Sequence, residues 1–223
     1  MKGKQRVLRF ALVLGIAAIA YWQRDLFVDR RSGENPASAP VSEGRKVNGY
    51  DRLPEAKLVD HRNNDGDSFK VKAGGREFEL RLYFVDAPET YLSDRWENQR
   101  RRVADQAREL GGIPVEEAVE VGRRARAFAK ARLEENDFTV YTYWEPVYDS
   151  GRFYGFVELP DGSYLGTQLV EHGLARIHTK GPGSKQKPVP TPDGKSFHQH
   201  RDMLYRLERT AQREKAGVWG VAR

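Results

Sequence analysis

The chain has 223 residues, of which 39% are hydrophobic and 31% charged, and its formal net charge is +6. This length favours one folded domain with appendages over two full domains. The absence of cysteine excludes disulfides, thiolate chemistry and cysteine-ligated zinc, and the basic balance suggests a polyanionic partner, either nucleic acid or an anionic membrane surface.

Residues 1–31 have the features of an N-terminal signal or anchor segment. An apolar or small run covers 10–22 and follows four basic residues, Lys2, Lys4, Arg6 and Arg9. The run fits a signal-peptide core better than a full membrane span, and Ala18-Ile19-Ala20 offers a small-x-small cleavage site. The aromatic pair Tyr21-Trp22 instead suits a retained anchor, with residues 7–22 in contact with the membrane. We therefore expect a secreted or membrane-anchored extracytoplasmic protein, with cleavage left open.

Residues 32–48 are rich in Ser, Gly, Pro and Ala and predict a flexible linker. The folded domain is then expected over 49–221. Its first strands show alternation: Phe69 and Val71 alternate with lysines, and Ala73-Gly74-Gly75 predicts a hairpin turn. The returning strand places four apolar residues on one face, namely Phe78, Leu80, Leu82 and Phe84. Residues 138–144 and 152–159 predict two further strands.

Helical patterns follow the hairpin and return near the end of the chain. A highly charged helix is predicted over 93–110, with Gly111-Gly112 as its stop, and Pro114 opens a second helix to 135. A short helix is predicted over 164–172 with Gly173 as its C-cap, and a last one over 200–215. Short strands gathered around a few helices predict a small closed barrel with packed helices, in the α+β class.

Three carboxylates lie at the ends of neighbouring predicted strands. Asp67 precedes the first strand of the hairpin, and Asp86 and Glu89 follow the second, which carries Arg81 on its polar face. Each piece alone is an ordinary turn or strand exit. Together they form a carboxylate cluster, which is costly unless a cation neutralises it. Because only oxygen ligands are present, the ion should be hard: Ca²⁺, Mg²⁺ or Mn²⁺.

Two other metal sites do not fit the sequence. An EF-hand aligned on Gly66 would place His61 and Lys72 at the first and last ligand positions, where carboxylates are needed. His198 and His200 are two residues apart but lack a nearby cysteine or third ligand.

The runs DGDSF at 65–69 and LRLYFVDAPET at 80–90 resemble the staphylococcal nuclease (thermonuclease) family. So do GRFYGFV at 151–157, DGSYLGTQLVEHGLARI at 161–177 and GVW at 217–219, and the resemblance covers roughly residues 55–220. It implies a five-stranded OB-like β-barrel with about three packed helices, to which this chain adds an inserted charged helix and an N-terminal hydrophobic helix. It also implies Ca²⁺ as cofactor, with Mg²⁺ or Mn²⁺ as alternatives, and single- or double-stranded DNA or RNA as substrate.

The resemblance also implies roles for individual residues. It assigns the metal to the carboxylates of Asp67 and Asp86 and the backbone carbonyl of Ala87. It assigns catalysis to Glu89, which orients or deprotonates the attacking water, and to two phosphate-binding arginines, Arg81 and Arg152. These roles are chemically sensible, because a divalent ion and two guanidiniums stabilise the charge of a phosphodiester transition state, while a carboxylate positions water.

Parts of the chain depart from the family pattern. Residues 178–181 read His-Thr-Lys-Gly where the best-known member has a Tyr-Val-Tyr stretch that contacts the nucleotide. The loop after it carries Lys180, Lys185, Lys187 and Lys195, and either grips a phosphate backbone or is simply solvated. The helical insert over 93–112 has no counterpart in short family members, and its place just after Glu89 suggests that it shapes the substrate cleft.

The sequence thus predicts a thermonuclease-like phosphodiester hydrolase. One alternative is a non-catalytic OB-type nucleic-acid-binding module, and another is an envelope-anchored interaction protein whose basic loop holds an anionic polymer or lipid. Preference for DNA or RNA, endo or exo cleavage, and oligomeric state stay open, and no obligate protein partner is evident.

Overall fold

The computed structural model describes residues 45–148, 150–178, 180–184 and 187–221. The expected segment 1–31, its hydrophobic helix and residues 32–44 of the expected linker lie outside these residues. Within the described ranges, no helix combines the length and apolar character needed to cross a bilayer.

The described part of the chain contains eight strands and four α-helices. The strands are β1 (Lys46–Val47), β2 (Tyr50–Leu58), β3 (Ser68–Ala73), β4 (Arg76–Leu82), β5 (Val85–Asp86), β6 (Phe138–Thr142), β7 (Arg152–Glu158) and β8 (Arg176–Ile177). The helices are α1 (Glu97–Glu109), α2 (Val115–Glu134), α3 (Leu165–Glu171) and α4 (Phe197–Glu214), followed by a 3₁₀ turn at Gly217–Gly220.

Six strands form one mixed sheet in the order β1-β2-β3-β4-β7-β6, and β2 also pairs with β6. All neighbours are antiparallel except β4 and β7, which run parallel. The sheet has six strands and not the expected five, because the short β1 pairs with the start of β2. A mixed sheet with helices in separate stretches of the chain confirms the α+β class.

The β3–β4 hairpin forms as its alternation predicts. Phe69 and Val71 on β3 and Leu80 and Leu82 on β4 are buried, whereas Lys72 is exposed. Ser68 pairs with Arg81 in this hairpin, so the start of β3 lies beside the end of β4. This register places the residues after β4 next to Asp67.

The sequence analysis does not predict strand β2, because apolar and polar residues do not alternate along it. The register against β6 shifts between Leu53 and Ala56, and Glu55 has a positive φ of 55°. A β-bulge at Pro54-Glu55 explains both observations, since proline is tolerated in a sheet at bulges and edges.

Two helices begin away from their expected positions. Helix α1 begins at Glu97 and not at residue 93, because the Ser93 hydroxyl accepts the Trp96 N–H (3.0 Å) and closes a turn before it. Helix α4 begins at Phe197 and not at residue 200, because Ser196 and Gln199 form a capping box.

Helix α1, which the sequence predicts to be an insert, packs into a small core separate from the main one. A separate cluster of buried apolar side chains joins it to α2 and the 3₁₀ turn, through Val103, Ala107, Leu110, Ile113, Ala118, Val119, Val121 and Val218. This packing holds α1 beside the segment that follows β5.

Candidate active site

Asp67 and Asp86 approach each other through the β3–β4 hairpin and the segment after it. Asp67 precedes β3, where the Asp65 side chain accepts the N–H groups of Asp67 (3.1 Å) and Ser68 (2.7 Å) in a local turn. Asp86 ends β5, which pairs with β8. The Ala87 N–H then donates to Asp67 Oδ2 at 2.6 Å and ties the two segments together.

Arg81 joins the two carboxylates. Its Nη1 lies 2.7 Å from Asp67 Oδ1, and its Nη2 donates to Asp86 Oδ1. Asp67 is fully buried and Asp86 nearly so. Two buried carboxylates therefore share one guanidinium, whose positive charge offsets the repulsion between them.

The second predicted arginine reaches the same place from β7. Arg152 Nη1 donates to Ser68 Oγ at 3.2 Å, and Arg81 Nη1 donates to the same oxygen at 3.3 Å. The Ser68 hydroxyl itself donates to Asp67 Oδ1 at 3.2 Å. Both arginines thus converge beside the carboxylates, because β4 and β7 are parallel neighbours.

The far side of Asp86 is held by two residues that the sequence predictions omit. Arg176 on β8 donates through Nε to Asp86 Oδ2 at 2.7 Å, and its Nη1 lies 2.6 Å from Glu109 of α1. Gln106, also on α1, donates to Asp86 Oδ2 at 3.0 Å. Arg176 lies in the run 161–177 that resembles the family, but only the fold shows that it faces Asp86.

Glu89 lies on the loop between β5 and α1. Its carboxylate pairs with Arg102 of α1, with Oε1 2.9 Å from Nε. Burial raises the pKa of Glu89 above its usual value, although Arg102 opposes the shift. A carboxylate with a raised pKa is a better proton acceptor near neutral pH.

The two aspartates differ in how well the protein stabilises their charge. Burial raises the pKa of the Asp67 carboxyl well above its usual range, and Arg81 offsets only part of this effect. Burial also disfavours the charge of Asp86, but Arg81 and Arg176 outweigh it and hold the pKa of Asp86 below its usual value. The charge of Asp67 is therefore only partly compensated, and a bound cation would stabilise it.

The donor chemistry fits a hard divalent ion. Asp67, Asp86 and the carbonyl of Ala87 offer only oxygen, the donor that Ca²⁺ and Mg²⁺ prefer. Among the described residues, no group of three or more His, Cys, Asp or Glu side chains is placed to hold a metal. An ion at this site would therefore complete its shell with water or substrate oxygens, as hard ions commonly do.

The basic loop is partly occupied by internal ion pairs. Lys180 pairs with Glu145, which also accepts hydrogen bonds from Tyr83 (2.7 Å) and Tyr143 (2.5 Å). Lys195 pairs with Asp193. Beside this loop lies a cavity of about 560 Å³ whose lining includes Tyr148, His178, Lys180, Phe197, His198 and Arg201.

The two histidines of α4 do not meet. His198 is exposed, whereas His200 is buried against the rings of Phe84 and Phe156. Burial lowers the pKa of His200 to about 4, so this residue is a neutral core side chain.

Comparison with known proteins identifies a family for this sequence. No curated protein matches the sequence. The family model described as staphylococcal nuclease homologue matches residues 79–221, more than half of the chain. The matched range includes Arg81, Asp86, Ala87, Glu89 and Arg152 and begins after Asp67. The resemblance of the sequence motifs is thereby confirmed, and the chain belongs to the staphylococcal nuclease homologue family.

Proposed function

We propose that this chain is a metal-dependent nuclease that hydrolyses phosphodiester bonds of DNA or RNA, with Ca²⁺ as its ion. One observation supports this most strongly: Arg81 and Arg152 meet at the Ser68 hydroxyl, directly beside Asp67 and Asp86. Two cations suited to bidentate phosphate contact therefore lie next to two carboxylates suited to a hard ion.

Each residue then has a chemical task. Asp67, Asp86 and the Ala87 carbonyl would hold the ion, which when bound supplies positive charge for the non-bridging oxygens of the phosphate. Arg81 and Arg152 donate hydrogen bonds to those oxygens and stabilise the additional charge of the transition state. Glu89 orients the attacking water or accepts its proton, in keeping with its raised pKa.

The rest of the domain offers a place for the substrate strand. We assign the OB-like barrel to β2, β3, β4, β7 and β6, since β2 pairs with both β3 and β6. The cavity beside Lys180 combines aromatic rings with cationic groups, which suits bases and backbone phosphates. Such contacts read charge and stacking, so we expect little sequence preference.

The domain limits and the location rest on the sequence pattern. We assign 1–31 to export, 32–48 to a linker and 49–221 to the nuclease-like domain, with the enzyme secreted or anchored outside the cytoplasm. Lys46–Val47, at the end of this linker, forms β1.

The deciding experiment measures cleavage of single-stranded DNA by the purified full-length chain with Ca²⁺ and with EDTA. We expect cleavage only with the ion, and Glu89→Gln should slow it by about two to four orders of magnitude. Glu97→Gln is the matched control, because Glu97 pairs with Arg101 at 2.9 Å just as Glu89 pairs with Arg102, but on the exposed face of α1.

Three other outcomes would each redirect the proposal. DNA binding without cleavage in Ca²⁺, Mg²⁺ and Mn²⁺ would identify a binding module. Metal-independent, strongly salt-sensitive binding to anionic vesicles without cleavage would favour the interaction protein. Cleavage that survives Glu89→Gln would keep the nuclease and remove Glu89 from the mechanism.

A further inference from the structure

The inserted helix α1 turns one face toward the candidate site. Arg102, Gln106 and Glu109 are four and three residues apart, a spacing that places side chains on one side of a helix. Arg102 pairs with Glu89, and Glu109 pairs with Arg176, which in turn holds Asp86. Gln106 lies between them and is almost fully buried.

Every hydrogen-bonding group of the Gln106 amide is used, and every bond goes to the segment 86–89. Its Nε2 donates to Asp86 Oδ2 at 3.0 Å and to the Ala87 carbonyl at 3.2 Å. Its Oε1 accepts the backbone N–H of Glu89 at 3.2 Å. One side chain thus contacts both proposed metal ligands of this segment and the backbone of the proposed base.

A neutral amide suits this task. It orients a carboxylate oxygen of Asp86 without adding a third positive charge to the two that Arg81 and Arg176 already place there, and a further arginine would compete more strongly with a cation. The Ala87 carbonyl keeps a second lone pair for another partner. Groups that hydrogen-bond to metal ligands in this way commonly set ligand orientation and affinity.

We propose that Gln106 is a positioning residue, which holds Asp86, Ala87 and Glu89 in the geometry that binds the ion and directs the water. The inserted helix is then a supporting part of the active site in this chain. This inference rests on the proposed function.

Gln99 is a closely matched control for Gln106. It lies on the same helix, is also buried, and also uses its amide to hold backbone, accepting the Ser93 N–H at 2.9 Å and donating to the Tyr91 carbonyl at 2.6 Å. None of its hydrogen bonds reaches the segment 86–89. A purely structural role for a buried glutamine on α1 therefore predicts equal effects at the two positions.

The test compares Gln106→Met and Gln99→Met in the full-length chain, since methionine keeps the length and removes the amide. Calorimetric titration with Ca²⁺ and no substrate should show a loss of affinity of about 10- to 100-fold for Gln106→Met. Hydrogen exchange in the metal-free protein should show faster exchange of the Glu89 amide. Gln99→Met should leave the Ca²⁺ affinity and the Glu89 exchange at their wild-type values.

If Gln106→Met does not fold, Gln106→Asn takes its place, because asparagine keeps the amide but has a shorter side chain. We expect this variant to show the same loss of Ca²⁺ affinity and the same faster exchange of the Glu89 amide. If the wild type binds Ca²⁺ and cleaves DNA while the variants at 106 and 99 behave alike, the positioning role is overturned alone. If the wild type neither binds Ca²⁺ nor cleaves, the proposed function is overturned and the positioning role with it.

Discussion

Helix α2 passes directly against the backbone of the proposed catalytic loop at Gly122. A Cβ added there would lie 2.5 Å from the Pro88 carbonyl oxygen and closer still to that of Glu89. Folded proteins essentially never show a Cβ this close to another heavy atom, so something would have to shift. Both neighbours are backbone atoms and not the ends of flexible side chains. The glycine is therefore required for close approach, and the position of Glu89 depends on it.

Gly122→Ala should displace the loop and lower kcat about 100-fold, because a shift of about 1 Å in a catalytic group has that cost. Gly166→Ala is the matched control, since Gly166 is also helical but its added Cβ would meet Val85 at 3.5 Å, an ordinary contact. Steady-state cleavage rates of the two variants check the prediction. Equal rates would show that α2 does not set the position of the loop.

Individual residues also show which parts of the site could be predicted from the sequence alone. Asp67, Asp86 and Arg81 were expected together, because a hairpin register follows from alternation and turn residues, and the structure brings them into contact. Their catalytic and metal-binding roles stay predictions. Gln106 and Arg176 contact Asp86 from 20 and 90 residues away, and no local pattern announces such contacts.

The secondary-structure elements likewise fall into those that the sequence predicts and those that it does not. Strands β3 and β4 were predictable because their burial alternates, and α2 because its apolar spacing and Pro114 mark its start. Strand β2 was missed because a bulge at Pro54-Glu55 breaks its alternation. Helix α1 was predicted as a charged insert, but its polar face toward the site depends on tertiary packing against α2.

The docking of helix α4 should depend on pH through His200. Burial lowers the pKa of this side chain from 6.5 to about 4, and Asp193 opposes the shift only in part. Between these values the unfolded chain binds a proton that the folded chain does not, so stability falls as the pH drops from 6.5 toward 4. The full loss is about 3 kcal/mol, since one pKa unit corresponds to about 1.4 kcal/mol.

His200→Leu should remove this component from the free energy of unfolding, measured in urea between pH 4 and 7 with chelator present. His198→Leu is the control, because His198 lies on the exposed side of the same helix. The carboxylates contribute their own acid dependence to every variant, so the difference in slope is the informative quantity. Equal slopes for the two variants would contradict a neutral His200 in the core.

Across the whole molecule, the site carries charges of both signs before any ligand binds. Its ion pairs join three arginines, Arg81, Arg102 and Arg176, to four carboxylates, Asp67, Asp86, Glu89 and Glu109, and Arg152 reaches them through the Ser68 hydroxyl. A divalent ion adds positive charge to this set, and a phosphodiester adds negative charge. Each should therefore favour the binding of the other, in a chain whose net charge of +6 already attracts polyanions.

Binding of the ion should also stabilise the fold, because the unfolded chain has no site that brings Asp67 and Asp86 together. Ca²⁺ at about 100 times its Kd adds about 2.7 kcal/mol, which raises Tm by roughly 5–10 °C for a domain of this size. Asp86→Asn should abolish the rise. Asp51→Asn should keep it, because Asp51 is an equally buried carboxylate that instead accepts from Trp144 Nε1 at 2.7 Å. A calcium-dependent rise that persists in Asp86→Asn, measured by differential scanning calorimetry, would place the ion elsewhere in the molecule.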